Sequence, residues 1–322
     1  MVRTACRLMQ VPVQAGHTIP PWHKLPYSPL PNHFHERRAV NVFRLGVWLS
    51  LGLSFISLNG CSMMRGRTPL PDAVNVEHEQ LILHSDFRLP RQHRLVDELV
   101  ELRHDIAREL SLPTSDEPIH VYLFEAARDY QGYIKQNHPE LPERRAYFVE
   151  TDTRLTVYAH WGDRVAEDLR HELAHGYLHS VTKHLPLWLD EGLAEYFEIA
   201  NFDDRMHLAH VQLLAQAIVE DGWEPDLKRL ESLTTLDEFT QIDYAEAWLW
   251  CHFLLKSTGD RRLLLHSHMA LLQDQNQSAP LSQTLLRSEP QAAEAVLEHL
   301  NILHREMVQH ARSANPDSAL LR

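Results

Sequence analysis

His171, Glu172 and His175 are the side chains whose types and spacing could do metal chemistry. They sit in the run His171-Glu172-Leu173-Ala174-His175, inside an amphipathic stretch from Asp163 to Val181. On a helix, residues four apart share a face. Both imidazoles therefore reach one Zn²⁺ from the same side. Glu172 lies about 100° round the helix from His171, close enough to hold a water without ligating the metal. Two neutral nitrogen ligands and a carboxylate general base are the equipment of metal-assisted hydrolysis. A five-residue match can arise by chance in a chain with 23 His, so the site needs a third ligand.

A second amphipathic segment supplies candidates. Leu187-Trp188-Leu189-Asp190-Glu191-Gly192-Leu193-Ala194-Glu195-Tyr196-Phe197 follows Pro186 and carries Glu191 and Glu195 one helical turn apart. Leu187, Trp188, Ala194 and Phe197 would pack this element into a core. A catalytic zinc needs a third protein ligand and one open position. The pair reads as Glu191 on the metal and Glu195 orienting a zinc-bound histidine. The short connection makes the two helices near-antiparallel neighbours, which returns Glu191 over the His171/His175 face.

His-Glu-Leu-Ala-His followed by Trp-Leu-Asp-Glu-Gly-Leu-Ala-Glu-Tyr-Phe resembles the gluzincin metallopeptidases, a family that includes thermolysin and the aminopeptidase N group. The nearest pattern is their small bacterial, peptidase MA-like branch. The resemblance is strong over residues 163–199, weaker over 77–256, and absent from the first 60. It implies His171, His175 and Glu191 as zinc ligands, Glu172 as general base, and an acidic residue near the ligands at Glu195. The chain departs from the larger enzymes in a shorter His175–Glu191 spacing and in Asp190 where Asn is commoner, so Glu195 stays as an alternative ligand. The metzincin pattern is excluded, because Leu178 and Val181 stand where its Gly and third His belong. His179 is read as a hydrogen-bond partner near the site or a solvated residue.

A strongly apolar helix spans Ile242 to Leu255, with Tyr244 near its start. The resemblance implies that Tyr244 steadies the oxyanion of a tetrahedral intermediate, worth about 3 kcal/mol when well placed. The alternative is an aromatic that packs the core. Trp248, Trp250 and Phe253 read as core, and His252 as structural.

The amino terminus carries a second message. Leu45 to Leu58 is an apolar run of 14 residues, too short for a comfortable bilayer span and suited to the core of a signal peptide. Arg37, Arg38 and Arg44 supply the positive charge ahead of it. The run ends in Leu58-Asn59-Gly60-Cys61, which resembles the bacterial lipobox. That resemblance implies a lipidated Cys61 as the first mature residue. Ser62 rather than Asp after it implies outer-membrane sorting, facing the periplasm, in a Gram-negative cell. An ordinary signal peptide is the alternative. Residues 1–36, rich in Pro and His, fit poorly ahead of such a segment and suggest a start codon placed too far upstream.

Charge narrows the partners. Residues 1–60 hold six Lys/Arg and one Glu, so the rest carries 25 basic and 43 acidic residues, net −18. This argues against nucleic acid and against a polybasic membrane surface. Beyond residue 60 only Cys61 and Cys251 remain, so no structural disulfide is expected in an extracytoplasmic setting. Cys251 reads as an inert buried thiol.

The expected organisation is a signal segment with its extension over 1–60, a lipidated Cys and polar tether over 61–76, one domain over 77–312 and a flexible tail over 313–322. Strands are expected at Gln80–Phe87 and Ile119–Phe124, with a hairpin of Ala146–Glu150 and Arg154–Ala159. Helices are expected at Arg91–Leu110 and Ala126–Gln136, and all structure from Met206 on reads as helical. The fold class is α+β: a small mixed sheet with helices and the motif helix over 77–181, then a helical half over 182–312. The resemblance makes this a zincin-like fold with its site in the cleft between the halves. An edge strand there, placed at 154–159, would bind an extended peptide. The expected function is zinc-dependent hydrolysis of a peptide bond in a peptide or protein substrate. A catalytically silent zincin scaffold and a zinc amidase acting on cell-wall material are the alternatives.

Overall fold

Ile119–Phe124 and Arg154–His160 are runs rich in β-branched and aromatic residues, and both form central strands. The computed structural model describes residues 67–200, 204–274 and 279–314. Five strands make one sheet: β1 (Val74–His78), β2 (Leu81–Ser85), β3 (Ile119–Phe124), β4 (Ala146–Thr151) and β5 (Arg154–His160). Their order is β1-β2-β3-β5-β4, with β2, β3 and β5 parallel and the two outer strands antiparallel to their neighbours. Alternate side chains face opposite ways. Ile119, Val121, Leu123, Leu155, Val157 and Ala159 enter the main core, while Tyr122, Phe124, Tyr147 and Tyr158 form a second cluster on the other face. Helix α2 (Ala127–Asn137) adds Tyr130 and Ile134 to that second cluster.

The main core is closed by α1 (Arg94–Leu110), α3 (Val165–His179), α4 (Leu187–Glu198) and α7 (Gln241–Lys256). The rest is helical as expected: α5 (Leu208–Asp221), α6 (Leu227–Ser232), α8 (Gly259–Gln273), α9 (Leu281–Ser288) and α10 (Ala292–Ala314). Helix α7 is buried on every side from Asp243 to Leu255, including Trp248, Trp250 and Phe253, which is why its apolar residues show no single stripe. A reciprocal cap starts it: Thr240 N–H and hydroxyl donate to Asp243 Oδ2 at 2.7 and 2.6 Å. This fixes the first turn, which carries Tyr244. Cys251 is fully buried, and burial pushes its thiol pKa up.

Two sequence expectations need correction. The strand at 154–160 is not the edge: β5 lies between β3 and β4, and β4 is the outer strand. Five consecutive residues of β5 are buried, the mark of a strand covered on both faces, and a hairpin's sequence does not say which arm faces outward. The tether is also shorter than 61–76. Val74 already pairs with Ser85 in β1, Leu70 packs on the second cluster, and Thr68 N–H donates to Gln136 of α2. Helix α10 extends to Ala314, two residues into the expected tail. Residues 1–60, expected to hold a signal segment, lie outside the described residues, as do Cys61 and residues 315–322. No described helix is long and apolar enough to cross a membrane.

Gly192, next to Glu191, lets α4 approach α7. A Cβ there would stand 2.6 Å from Ala247 O and 2.9 Å from Cys251 Sγ, so backbone would have to shift. Gly192→Ala should cost about 1–3 kcal/mol as overpacking and displace Glu191. Denaturant melts and zinc titration of the variant measure both effects, and an unchanged melt would show that the two helices have slack.

Candidate metal centre

Helix α3 presents His171, His175 and His179 along one stripe, at successive steps of four residues. Helix α4 presents Glu191, Glu195 and Glu198 along another. The two stripes face each other, and three ligand atoms converge. His171 Nε2 and His175 Nε2 lie 3.3 Å apart, and Glu191 Oε2 lies 3.9 Å from each. Those separations place a point about 2.2 Å from all three atoms, within the reach of zinc–nitrogen and zinc–oxygen bonds. Glu191 is buried and its Oε2 has no hydrogen-bond partner. A buried carboxylate oxygen with no donor is costly, and a cation at that point would satisfy it. The residues therefore fit a zinc ion.

The far side of each imidazole is held by a carboxylate. His171 Nδ1 lies 3.0 Å from Glu198 Oε2, and His175 Nδ1 lies 2.9 Å from Asp190 Oδ1. Each pair has Nδ1–H donating, which leaves Nε2 free for a metal. Asp190 is shared: its Oδ2 lies 3.0 Å from His179 Nε2, whose Nδ1 reaches Glu150 of β4 at 2.6 Å. Burial opposes charge on His179, but the bonds and charges of Asp190 and Glu150 outweigh it and raise its pKa to about 9. Burial also opposes ionisation of Asp190, yet His175 and His179 hold its carboxyl well below the usual range. For Glu198, burial is likewise outweighed by His171 and His207, and its pKa is lowered. Burial pushes the Glu191 carboxyl up, against the pull of His175 and His171. Burial disfavours protonated His171 and His175, but Glu198 and Asp190 respectively, with other nearby carboxylates, outweigh it and raise both pKa values. The centre therefore seeks positive charge, as protons or as a metal cation. A metal must displace protons, so its affinity should rise with pH.

Glu195 does not hold a zinc-facing histidine. Its Oε2 lies 2.9 Å from His210 Nε2 and 3.6 Å from His207 Nε2, and Glu198 takes the place at His171. Glu198 follows Glu191 by seven residues and so lies on the same stripe, a spacing that could have found it. Glu195, His207 and His210 also cluster closely enough to suggest a second metal site. The tautomer argues against it. His207 Nδ1 accepts from His210 N–H at 3.3 Å, so its proton sits on Nε2, which donates to Glu198 Oε1 at 3.0 Å. The cluster is a hydrogen-bonded brace running from α5 through Glu198 to His171. Arg205 anchors the end of α4, donating to Ile199 O at 2.5 Å and to Asp105 Oδ2 of α1 at 2.7 Å. Glu198→Ala should weaken zinc binding about 10–100-fold, and Glu195→Ala far less. Competition with a chelator measures both, and equal losses would contradict the assignment.

Glu172 lies close enough for its charge to act on His171 and Glu191, and its Oε2 accepts Phe148 N–H of β4 at 2.6 Å. Sequence reasoning missed that contact, because it depends on β4 lying against α3. Tyr244 is buried, with its hydroxyl 3.4 Å from Arg144 Nη2. Burial pushes the Tyr244 hydroxyl pKa up, and the nearby Glu191 charge adds to it while Arg144 pulls it down. Arg144 was also missed, since nothing in a polar loop marks which charge turns toward Tyr244. Neither of two surface depressions reaches these residues. One is lined by Gln80, Arg103, Leu112 and Tyr177 among others, the second by residues 288–291, 294 and 295.

No family model matches the chain, and no curated protein does. Among solved structures, the crystal structure of an M1 zinc metallopeptidase from Deinococcus radiodurans is similar, with a TM-score of 0.39 and 17% identity. The match covers 73% of this chain and 51% of that one, so this chain spans about half the length of that structure. A likeness that distant says nothing about this chain's activity.

Proposed function

We propose that the protein is a zinc-dependent peptide-bond hydrolase of the gluzincin type, with a zincin-like fold and its site between the sheet half and the helical half. One observation carries this reading: the partnerless Oε2 of buried Glu191 shares a convergence point with two histidine Nε2 atoms, and Glu172 lies close enough for its charge to act on His171 and Glu191. His171, His175 and Glu191 would hold the ion. A zinc ion there supplies Lewis acidity that activates water and polarises a carbonyl. Phe148 N–H fixes one oxygen of Glu172 and leaves the other to accept a water proton and pass it to the leaving amine. Asp190 and Glu198 hold the Nδ1–H of His175 and His171, so that each imidazole would present Nε2 to the metal. The Tyr244 hydroxyl donates to charge developing on the substrate oxygen. The free edge of β4 accepts an extended peptide by strand addition. The test is a cleavage profile on a broad peptide library, wild type against Glu172→Gln. Turnover absent from both would favour a zincin-fold scaffold, which needs no base.

Anchorage is a second part of the proposal. It rests on Leu58-Asn59-Gly60-Cys61 after the apolar run. Cys61 carries acyl chains, and the chain lies on the periplasmic face of an outer membrane. Several acyl chains, at about 0.8 kcal/mol per buried CH₂, hold a protein without a spanning helix. Labelling with a palmitate analogue should mark the wild type and not Cys61→Ser. An unlabelled wild type that fractionates as soluble would leave only an ordinary signal peptide.

A further inference from the structure

A peptidase with a metal centre must also choose where along a chain to cut, and the charges around this centre are unevenly spent. Asp190 is engaged by His175 and His179, Glu198 by His171 and His207, and Glu195 by His210. Glu172 accepts Phe148 N–H, and Glu191 faces the convergence point. Each of these five carboxylates already has a partner or faces the convergence point. The charge left over is cationic. Arg144 is exposed, and among the described residues no carboxylate forms an ion pair with it. Its guanidinium reaches Tyr244 Oη at 3.4 Å and feels the charges of Glu191 and Glu172. Its neighbour Arg145 turns the other way and grips Asp168 of α3 through both carboxylate oxygens, at 2.9 and 2.6 Å. That grip pins the loop where it enters β4, with Arg144 beside Tyr244 and within reach of the Glu191 and Glu172 charges.

We propose that Arg144 is the substrate-carboxylate anchor of this site, selecting peptides with a negative charge within about one residue of the bond that is cut. The proposal rests on the peptidase reading and adds the substrate class. The guanidinium is permanently charged and presents a planar fork that matches a carboxylate. Its place beside Tyr244, the hydroxyl assigned to the reacting oxygen, sets the short distance from anchor to scissile bond. The chain's own α-carboxylate and an Asp or Glu side chain share this chemistry, and the first would make the enzyme cut from the carboxyl end.

The test uses the full chain carrying Glu172→Gln, loaded with zinc, and three hexapeptides without other acidic residues that differ only at the carboxyl end. The first has a free carboxyl terminus, the second is amidated, and the third is amidated with Asp as the last residue. With Arg144 present, a carboxylate-bearing peptide should bind about tenfold or more tighter than the neutral one. Tightest binding by the first peptide names the chain end as the source, and by the third the side chain. Arg144→Gln should erase the preference, and Arg144→Lys should restore part of it. Equal binding of all three peptides overturns the proposal, as does a preference that survives Arg144→Gln. A fall in kcat equal for all three in the Arg144→Gln enzyme with Glu172 intact would also overturn it, since Arg144 would then serve only to position Tyr244. If no peptide binds and the enzyme with Glu172 turns over none in a broad library, the peptidase reading itself falls.

Discussion

Glu172→Gln should retain zinc and fold yet hydrolyse peptides at least about 100-fold more slowly than wild type. The substitution is nearly isosteric. Phe148 N–H can still donate to the amide oxygen where it now donates to Oε2 at 2.6 Å, so β4 and α3 stay joined. His171, His175 and Glu191 are untouched, and so are the carboxylates behind the imidazoles. Only the basicity goes, because an amide cannot accept a proton from water at neutral pH. The loss should appear in kcat, since a base acts in the transition state more than in binding. Equal zinc content, equal melting and a collapsed rate form the expected set. A variant as active as wild type would remove Glu172 from the chemistry.

His175→Ala should abolish zinc binding. The histidine is buried, its Nε2 is one of three converging atoms, and its Nδ1 is tied to Asp190 at 2.9 Å. Without it, two protein ligands remain, too few for a closed protein site. The effect on stability follows by mass action. Wild type gains about 4 kcal/mol when free zinc stands at about 1,000 times Kd, and the variant gains none. Removing His175 also leaves Asp190 with His179 as its remaining imidazole partner, so the variant should melt lower than wild type even in chelator. Undiminished zinc in this variant would move the metal elsewhere.

Much of this arrangement was legible in the residues before any coordinates. The motif helix and the Glu191 helix carry chemistry at helical spacing: periodicity puts His171 and His175 on one stripe, and the short connection turns the Glu191 helix back toward it. Strand β3 was marked at both ends, because an apolar β-branched run between polar turns has no other good conformation. What failed was what depends on neighbours far along the chain. The outer position of β4 follows from the pairing order of the sheet, which a hairpin sequence does not encode. Glu195 was assigned to a zinc-facing histidine because it follows Glu191 by one turn, where the resembled family carries an acidic residue. The rotation of α4 against α5 instead turns Glu195 to His210 and gives Glu198 to His171. Strand β1 is only five residues long, with a single buried position, too weak a pattern to stand out from a tether. Arg144 is one charge among many in a polar loop, and only the Arg145–Asp168 grip and the start of α7 give it a role.

The central claim is that one cation sits between His171 Nε2, His175 Nε2 and Glu191 Oε2. X-ray diffraction from zinc-loaded crystals, recorded on both sides of the zinc absorption edge, tests it most directly. The account predicts one strong anomalous peak per chain about 2 Å from each of those three atoms, with Glu195 still bonded to His210. A peak among Glu195, His207 and His210 instead, or no peak between α3 and α4 at saturating zinc, would contradict it.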